Sequence, residues 1–345
     1  MNLLDKYVLK QVLPVFILGN IFFIFLLLLD KLVQLAELFF AKSVPAYLII
    51  QTVIYYLPSF LAITIPTATL LSILIIFSRM SVDSELIVIR ASGAGFRQIF
   101  KPVFLFGVFA AFLTLLMTGY LMPLGNKAAV GNLKQIAKSV SINDLKEKQL
   151  YKDIPGVLIY VKKIFDKNSF GQLIVVDKRQ GYVITANKGN IITTDQSEIV
   201  FDFREGTLMK KSGEAYSKIG FNAFKVRIPI PVMEDFEIQG ERFMFLSQLV
   251  KNFGEKIYKF EFSKRFAIPF AAFIMAALGL TFGSFFQRAG KSLGVFFSLV
   301  VVFLYNLILI FSENMIDVIN PFLAAWIANI IFSIIAVIMI KKVFK

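Results

Sequence analysis

Ala46-Tyr-Leu-Ile-Ile-Gln-Thr-Val-Ile-Tyr-Tyr-Leu-Pro-Ser-Phe-Leu-Ala-Ile-Thr-Ile-Pro-Thr-Ala-Thr-Leu-Leu-Ser-Ile-Leu-Ile-Ile-Phe-Ser78 runs for 33 residues without a charge. At about 1.5 Å per residue one helix of this length measures about 50 Å, too long for a simple span of a core about 30 Å thick. Two spans need about 20 residues each, so the stretch is short for a hairpin. Its reading decides on which side every later segment lies. Five further uncharged runs surround it, at residues 12–29, 102–126, 266–287, 292–312 and 318–340. Six crossings, three before and three after a long polar insert, describe a polytopic membrane protein.

Loop charge resolves the 46–78 stretch. If each run crosses once, Lys6 and Lys10, then Arg79, Arg90, Arg97 and Lys101, then Arg288 and Lys291, then Lys341, Lys342 and Lys345 all fall on one side. The other side holds Asp30, Lys31, Glu37 and Lys42 in one loop and Glu313 with Asp317 in another. Basic residues mark the cytoplasmic face, which places both termini there and the insert outside. A hairpin would send the Arg79 cluster outward. The stretch therefore reads as one long helix, bent near Pro58 or Pro66. The net charge of +14 then reflects topology and gives no reason to expect a nucleic-acid partner. Cysteine and histidine are both absent, which excludes disulfides, thiol and imidazole catalysis and Cys/His metal sites.

Between residues 125 and 261 the pattern changes to short alternating runs, at 156–165, 172–177, 181–186, 190–194 and 199–203. Lys-Asn-Ser, Asn-Lys-Gly and Arg-Glu-Gly triplets read as the turns between them. This predicts an antiparallel sandwich or roll, flanked by linker helices at 127–150 and 246–258. The carboxylates Asp166, Asp177, Asp195 and Glu205 occupy turn contexts and form no catalytic set. The layout is residues 1–125 with three spans, 126–261 as the β domain and 262–345 with three spans.

Three motifs carry candidate functions. Ala289-Gly-Lys-Ser292 mimics the end of a phosphate loop, but Phe285 stands where the first glycine belongs, so it reads as positive anchoring. After the second run, Arg79-Met-Ser-Val-Asp-Ser-Glu-Leu-Ile-Val-Ile-Arg-Ala-Ser-Gly93 predicts a short helix over 81–92, with Ser81 as N-cap, Asp83 and Glu85 at its positive end and Gly93 with Gly95 as its stop. It lies against lipid or in a partner's groove, and its carboxylates favour a basic protein groove over an anionic leaflet. At the outer end of the first run, Lys31 and Lys42 are either snorkelling anchors or contacts for an anionic headgroup. Gly279-Leu-Thr-Phe-Gly283 permits close helix contact, within the chain or between subunits. No Asp, Glu, Lys or Arg lies inside any run, so energy for moving a substrate comes from elsewhere.

Asp30-Lys-Leu-Val33, the Pro58 and Pro66 pattern, Ser81-Val-Asp-Ser-Glu-Leu-Ile-Val-Ile-Arg-Ala-Ser-Gly93 and Gln287-Arg-Ala-Gly-Lys291 together resemble the lipopolysaccharide-export permeases, the LptF/LptG pair, over essentially the whole chain. Lys-Leu-Val and Val-Asp-Ser-Glu favour the LptF-like member. The resemblance implies a heterodimer of two such permeases in the bacterial inner membrane, two cytoplasmic ABC ATPase subunits and a periplasmic jellyroll domain. That domain hands lipopolysaccharide to an LptC/LptA-type β-jellyroll partner. It implies that Asp83, Ser84, Glu85 and Arg90 lie on an ATPase-coupling helix, that Lys31 and Lys42 meet lipid phosphates, and that spans one and five form the lateral opening at the dimer seam. No catalytic residue, cofactor or metal is implied. The rival readings are a membrane-bound enzyme acting on lipid or glycan, and an envelope-complex scaffold.

Overall fold

The computed structural model describes residues 3–40, 46–140, 147–154, 157–166, 169–178, 181–193, 198–212, 215–229, 240–285 and 290–344. The decisive stretch is one uninterrupted helix, α2 (Ala46–Val82), with Pro58 and Pro66 inside it. It follows α1 (Leu3–Phe40). A short helix, α3 (Glu85–Ala91), leads to α4 (Phe96–Leu116), a π-helical turn at Met117–Leu121 and α5 (Met122–Val140). After the sheet come a 3₁₀ turn at Glu241–Phe243 and then α6 (Leu246–Lys251), α7 (Lys256–Phe285) and α8 (Gly290–Asn314). The last apolar run is broken into α9 (Pro321–Ala324) and α10 (Ile327–Phe344), with Asn320 capping α9 through the Phe322 N–H. Among the described residues, five helical segments are long and apolar enough to cross a membrane, beginning at Leu3, Ala46, Phe96, Lys256 and Phe296.

The chain forms two compact units. In the helical unit α2 and α7 are central, because small residues let them touch. A Cβ added at Gly279 would stand 2.9 Å from the Leu70 carbonyl oxygen, and one at Gly283 2.8 Å from that of Leu74. The Gly279/Gly283 pair thus serves packing within the chain. Around this contact Val12, Phe16, Ala68, Phe77, Phe106, Ala272 and Leu280 make one buried cluster. Leu70, Met275, Leu278, Tyr305 and Phe332 make another on the side of α8 and α10.

The second unit contains a six-stranded antiparallel sheet in sequential order: β1 (Gln149–Ile154), β2 (Val157–Asp166), β3 (Ser169–Asp177), β4 (Tyr182–Thr193), β5 (Glu198–Ser212) and β6 (Ala215–Pro229). Every strand pairs with its neighbour in sequence, and Val161, Phe170, Leu173, Ile184, Phe201 and Phe203 fill its buried face. Two expected turns are interior strand residues. Asn187-Lys-Gly189 lies within β4 and Arg204-Glu-Gly206 within β5, where Glu205 takes a left-handed φ of 55°. Turn-forming residues were read as chain reversals where they only bend long strands. Asp177, read as a solvated turn carboxylate, ends β3 and is buried.

Candidate functional site

The segment after α2 forms a short platform. α2 continues through Val82, so Ser81 is not the N-cap; its hydroxyl is buried and faces the Ser284 carbonyl at 3.5 Å. The chain turns at Ser84, whose φ of 59° is left-handed, and α3 begins at Glu85. Gly93, with φ 86°, closes it, and Gly95 caps α4. Leu86 points into the cluster shared with α1, α2, α4 and α7, whereas Val82, Ile87 and Val88 are exposed. An apolar strip left bare beside Asp83 and Arg90 is an arrangement suited to a protein partner.

Side-chain bonds tie this platform to the amino-terminal end of α1. The Tyr7 hydroxyl donates to Glu85 Oε2 at 2.8 Å, and Arg79 donates through Nη2 to the Gln11 side-chain oxygen. Arg79 pairs with Asp83 at 3.8 Å, one helical turn on. Lys101 of α4 reaches the buried carboxylate of Asp5 at 3.4 Å. Arg90 donates to the Val343 carbonyl at the end of α10, at 3.4 Å. α3 itself is thus bonded to α1 and α10, while α2 and α4 bond α1 beside it.

At the opposite end of the helical unit lies a charge cluster that the sequence reading missed. Arg265 is 1% exposed and Glu261 4%. Arg265 donates through Nε to Glu261 Oε1 at 3.2 Å, through Nη1 to the Met244 carbonyl at 2.6 Å and through Nη2 to the Glu241 carbonyl at 3.0 Å. Lys264 bridges Glu261 at 3.7 Å and Glu313 of α8 at 3.1 Å. The four charges sum to zero, as buried charges require. The Thr118 hydroxyl, in the π-helical turn, donates to the Arg265 carbonyl at 3.1 Å. Nearby, Asn126 accepts from Ser59 at 2.7 Å and donates to the Arg242 carbonyl at 3.3 Å. The strands' exit segment, 241–244, is therefore held to α5 and α7 by side chains acting on its carbonyls.

The sequence matches the family described as lipopolysaccharide export system permease LptF/LptG over residues 6–342. The chain belongs to the LptF/LptG family. Members of this family are described as export permeases. It is also 23% identical over 194 residues to the uncharacterized protein RP871 of Rickettsia prowazekii (strain Madrid E), covering 55% of this chain and 54% of that protein. The chain spans about half the length of that curated relative.

The residues expected to act in an LptF/LptG permease are unequally placed by the structure. Asp83, Ser84, Glu85 and Arg90 come together on and before α3. Lys31 lies in α1 but its side chain is outside the described residues, and Lys42 is outside them altogether. Glu85 has an intrachain partner in Tyr7, which no local pattern could have announced across 78 residues. Glu261, Lys264 and Arg265 did carry a signal: their i, i+3 and i+4 spacing puts them on one helical face. The uncharged run opens at residue 266, directly after Arg265, and so leaves all three outside it.

Proposed function

We propose that this LptF/LptG chain is one permease of an ABC-type exporter that extracts lipopolysaccharide from the inner membrane and passes it to a periplasmic β-jellyroll protein of LptC/LptA type. A second permease of the family and two cytoplasmic ATPase subunits complete the complex. In this reading α10 is the sixth span, both termini are cytoplasmic, and the 126–261 segment is a periplasmic domain whose sheet belongs to a jellyroll that receives the lipid. Lys31 and Lys42 lie at the outer headgroup level and meet lipid phosphates.

The observation that carries the proposal is α3. Leu86 anchors it in the helical core while Ile87 and Val88 remain bare. A closing ATPase that grips this face moves a lever, because α3 is bonded to α1 through Tyr7 and Glu85. Both α1 and α8 keep large apolar side chains exposed, among them Leu18, Ile21 and Phe25 on the first and Phe303, Ile310 and Phe311 on the second. These two faces suit the seam through which acyl chains enter. In this reading a shift of α1 narrows the space between the two permeases that holds the acyl chains, and non-directional dispersion contacts let many chains slip outward together.

Copurification of the full-length chain with its ATPase tests this. Val88→Asp and Glu85→Lys are expected to reduce ATPase recovery at least tenfold while membrane expression holds. Equal ATPase recovery from both variants and undiminished ATP-driven lipid release sink the assignment of α3.

A further inference from the structure

The β-sheet carries a polar crease that neither the helices nor the buried face explains. In regular strands inward side chains recur every second residue. Here the spacing breaks on β2, β3, β5 and β6. Val161 and Ile164, Phe170 and Leu173, and Phe221 and Phe224 pack on the same core three positions apart, and Phe203 and Leu208 five apart. The register aligns these breaks. Lys162 stands between the pairs Val161↔Leu173 and Lys163↔Gly171, and Gln172 between Gly171↔Lys188 and Leu173↔Ala186. Asn187 and Glu205 oppose each other between Ala186↔Gly206 and Lys188↔Arg204, and Asn222 follows between Arg204↔Ala223 and Gly206↔Phe221. One row, Lys162-Gln172-Asn187-Glu205-Asn222, therefore crosses β2 to β6, with every member exposed. Gln172 and Glu205 hold left-handed φ values of 52° and 55°, unfavourable for residues with a side chain.

Two hollows open along this row and share Asn187. One, of about 520 Å³, is lined by Lys148, Lys162, Lys163, Phe165 and Gln172; the other, of about 430 Å³, by Glu205, Thr207 and Asn222. The first holds three lysines against Glu147, whose carboxylate is already engaged by the Ile164 N–H at 2.9 Å. The second offers a hydroxyl, amides and a carboxylate. Four strand spacings of about 4.8 Å give the row a length of about 19 Å.

We propose that the crease binds a phosphorylated saccharide, with the phosphate at the Lys148–Lys162–Lys163 end and sugar hydroxyls along Gln172, Asn187, Glu205 and Asn222. The amides donate and accept and the carboxylate accepts, as a polyol requires, and clustered ammonium groups supply the anion contact. The proposal rests on the export reading and adds a headgroup contact on the sheet. Glycolipid headgroups and free phosphate share the anionic chemistry, so the test separates them.

Full-length protein in nanodiscs is titrated with a fluorescent, acyl-free bis-phosphorylated glucosamine disaccharide. Inorganic pyrophosphate and the dephosphorylated disaccharide serve as competitors. The Lys162→Gln/Lys163→Gln variant is expected to bind at least tenfold more weakly and Asn187→Ala about threefold, with melting temperatures unchanged. Pyrophosphate competing as well as the unlabelled phosphorylated disaccharide reduces the crease to an anion patch and overturns the proposal, as does wild-type binding by both variants. ATPase copurification is measured on the same samples. Its persistence in the lysine variant assigns any failure to the crease, whereas its absence in the wild type strikes the export reading instead.

Discussion

The two ends of the helical unit both use ion pairs and hydrogen bonds, but in opposite environments. Around α3 the polar groups are mostly half-exposed: Glu85, Arg79 and Lys101 each keep contact with solvent while reaching Tyr7, Gln11 and Asp5. Around Arg265 the groups are sealed, and the guanidinium spends its donors on two backbone carbonyls and a carboxylate. Exposed pairs contribute little and exchange readily with water, so they suit an end that must change partners. A sealed cluster is destabilised strongly by loss of one member, so it suits an end that must keep its geometry. The chain is soft where the proposed motor docks and stiff where it leaves the bundle for the insert.

The largest effect is therefore expected at Arg265. Arg265→Ala removes the hydrogen-bonded partner of buried Glu261, leaving Lys264 at 3.7 Å as its counter-charge, and strips donors from the Met244 and Glu241 carbonyls, at a cost of about 3–5 kcal/mol. Thermal unfolding of the purified chain should show a large fall in melting temperature, and membrane yield should drop with it. Arg265→Lys keeps the charge but loses the planar fork, and should recover only part of the loss. A variant with wild-type stability would show that the cluster is incidental and would erase the contrast between the two ends.

Next comes the contact on which both ends depend. Gly283→Leu forces a side chain against the Leu74 carbonyl and Phe77 Cβ, 2.8 and 2.9 Å from the first added carbon. Backbone cannot yield as a flexible side chain does, so overpacking should cost about 1–3 kcal/mol or more. If Gly279 and Gly283 instead served subunit association, the variant would lose its permease partner on size exclusion while the isolated chain melted normally.

Much of this architecture was legible because bilayers impose strict lengths and charges. Loop lysines and arginines placed 46–78 as one helix, and α2 is continuous from Ala46 to Val82. The short helix α3 was legible because Gly93 and the acidic residues punctuate it, although Ser81 misled: a serine before acidic residues resembles a cap even when α2 simply continues. Tertiary chemistry was not legible. The Glu261–Arg265 cluster needs carbonyls from 241 and 244, and the crease needs five strands in register, so no window of local sequence contains either. Short triplets such as Asn187-Lys-Gly189 carry turn chemistry, but the sheet's pairing overrides it and uses them as bends.

The smallest and most discriminating effect concerns Tyr7 and Glu85. Tyr7→Phe removes one hydroxyl from an exposed side chain and leaves the ring in place, so it should cost stability only about 0.5–1.5 kcal/mol. Its effect on function should be out of proportion, because the bond is a direct link from α3 to α1. ATP hydrolysis by the assembled complex should continue at nearly the wild-type rate while lipid release per ATP falls. Glu85→Gln can still accept the tyrosine hydrogen bond through its amide oxygen, so it should retain more coupling than Tyr7→Phe. Combining the two substitutions should add little to the loss caused by Tyr7→Phe, since both act on one contact. Release per ATP is the measurement that checks this. Additive losses would mean that Glu85 reaches the ATPase by a route of its own, and the α1 lever would have to be abandoned in favour of transmission through Leu86 and the shared core.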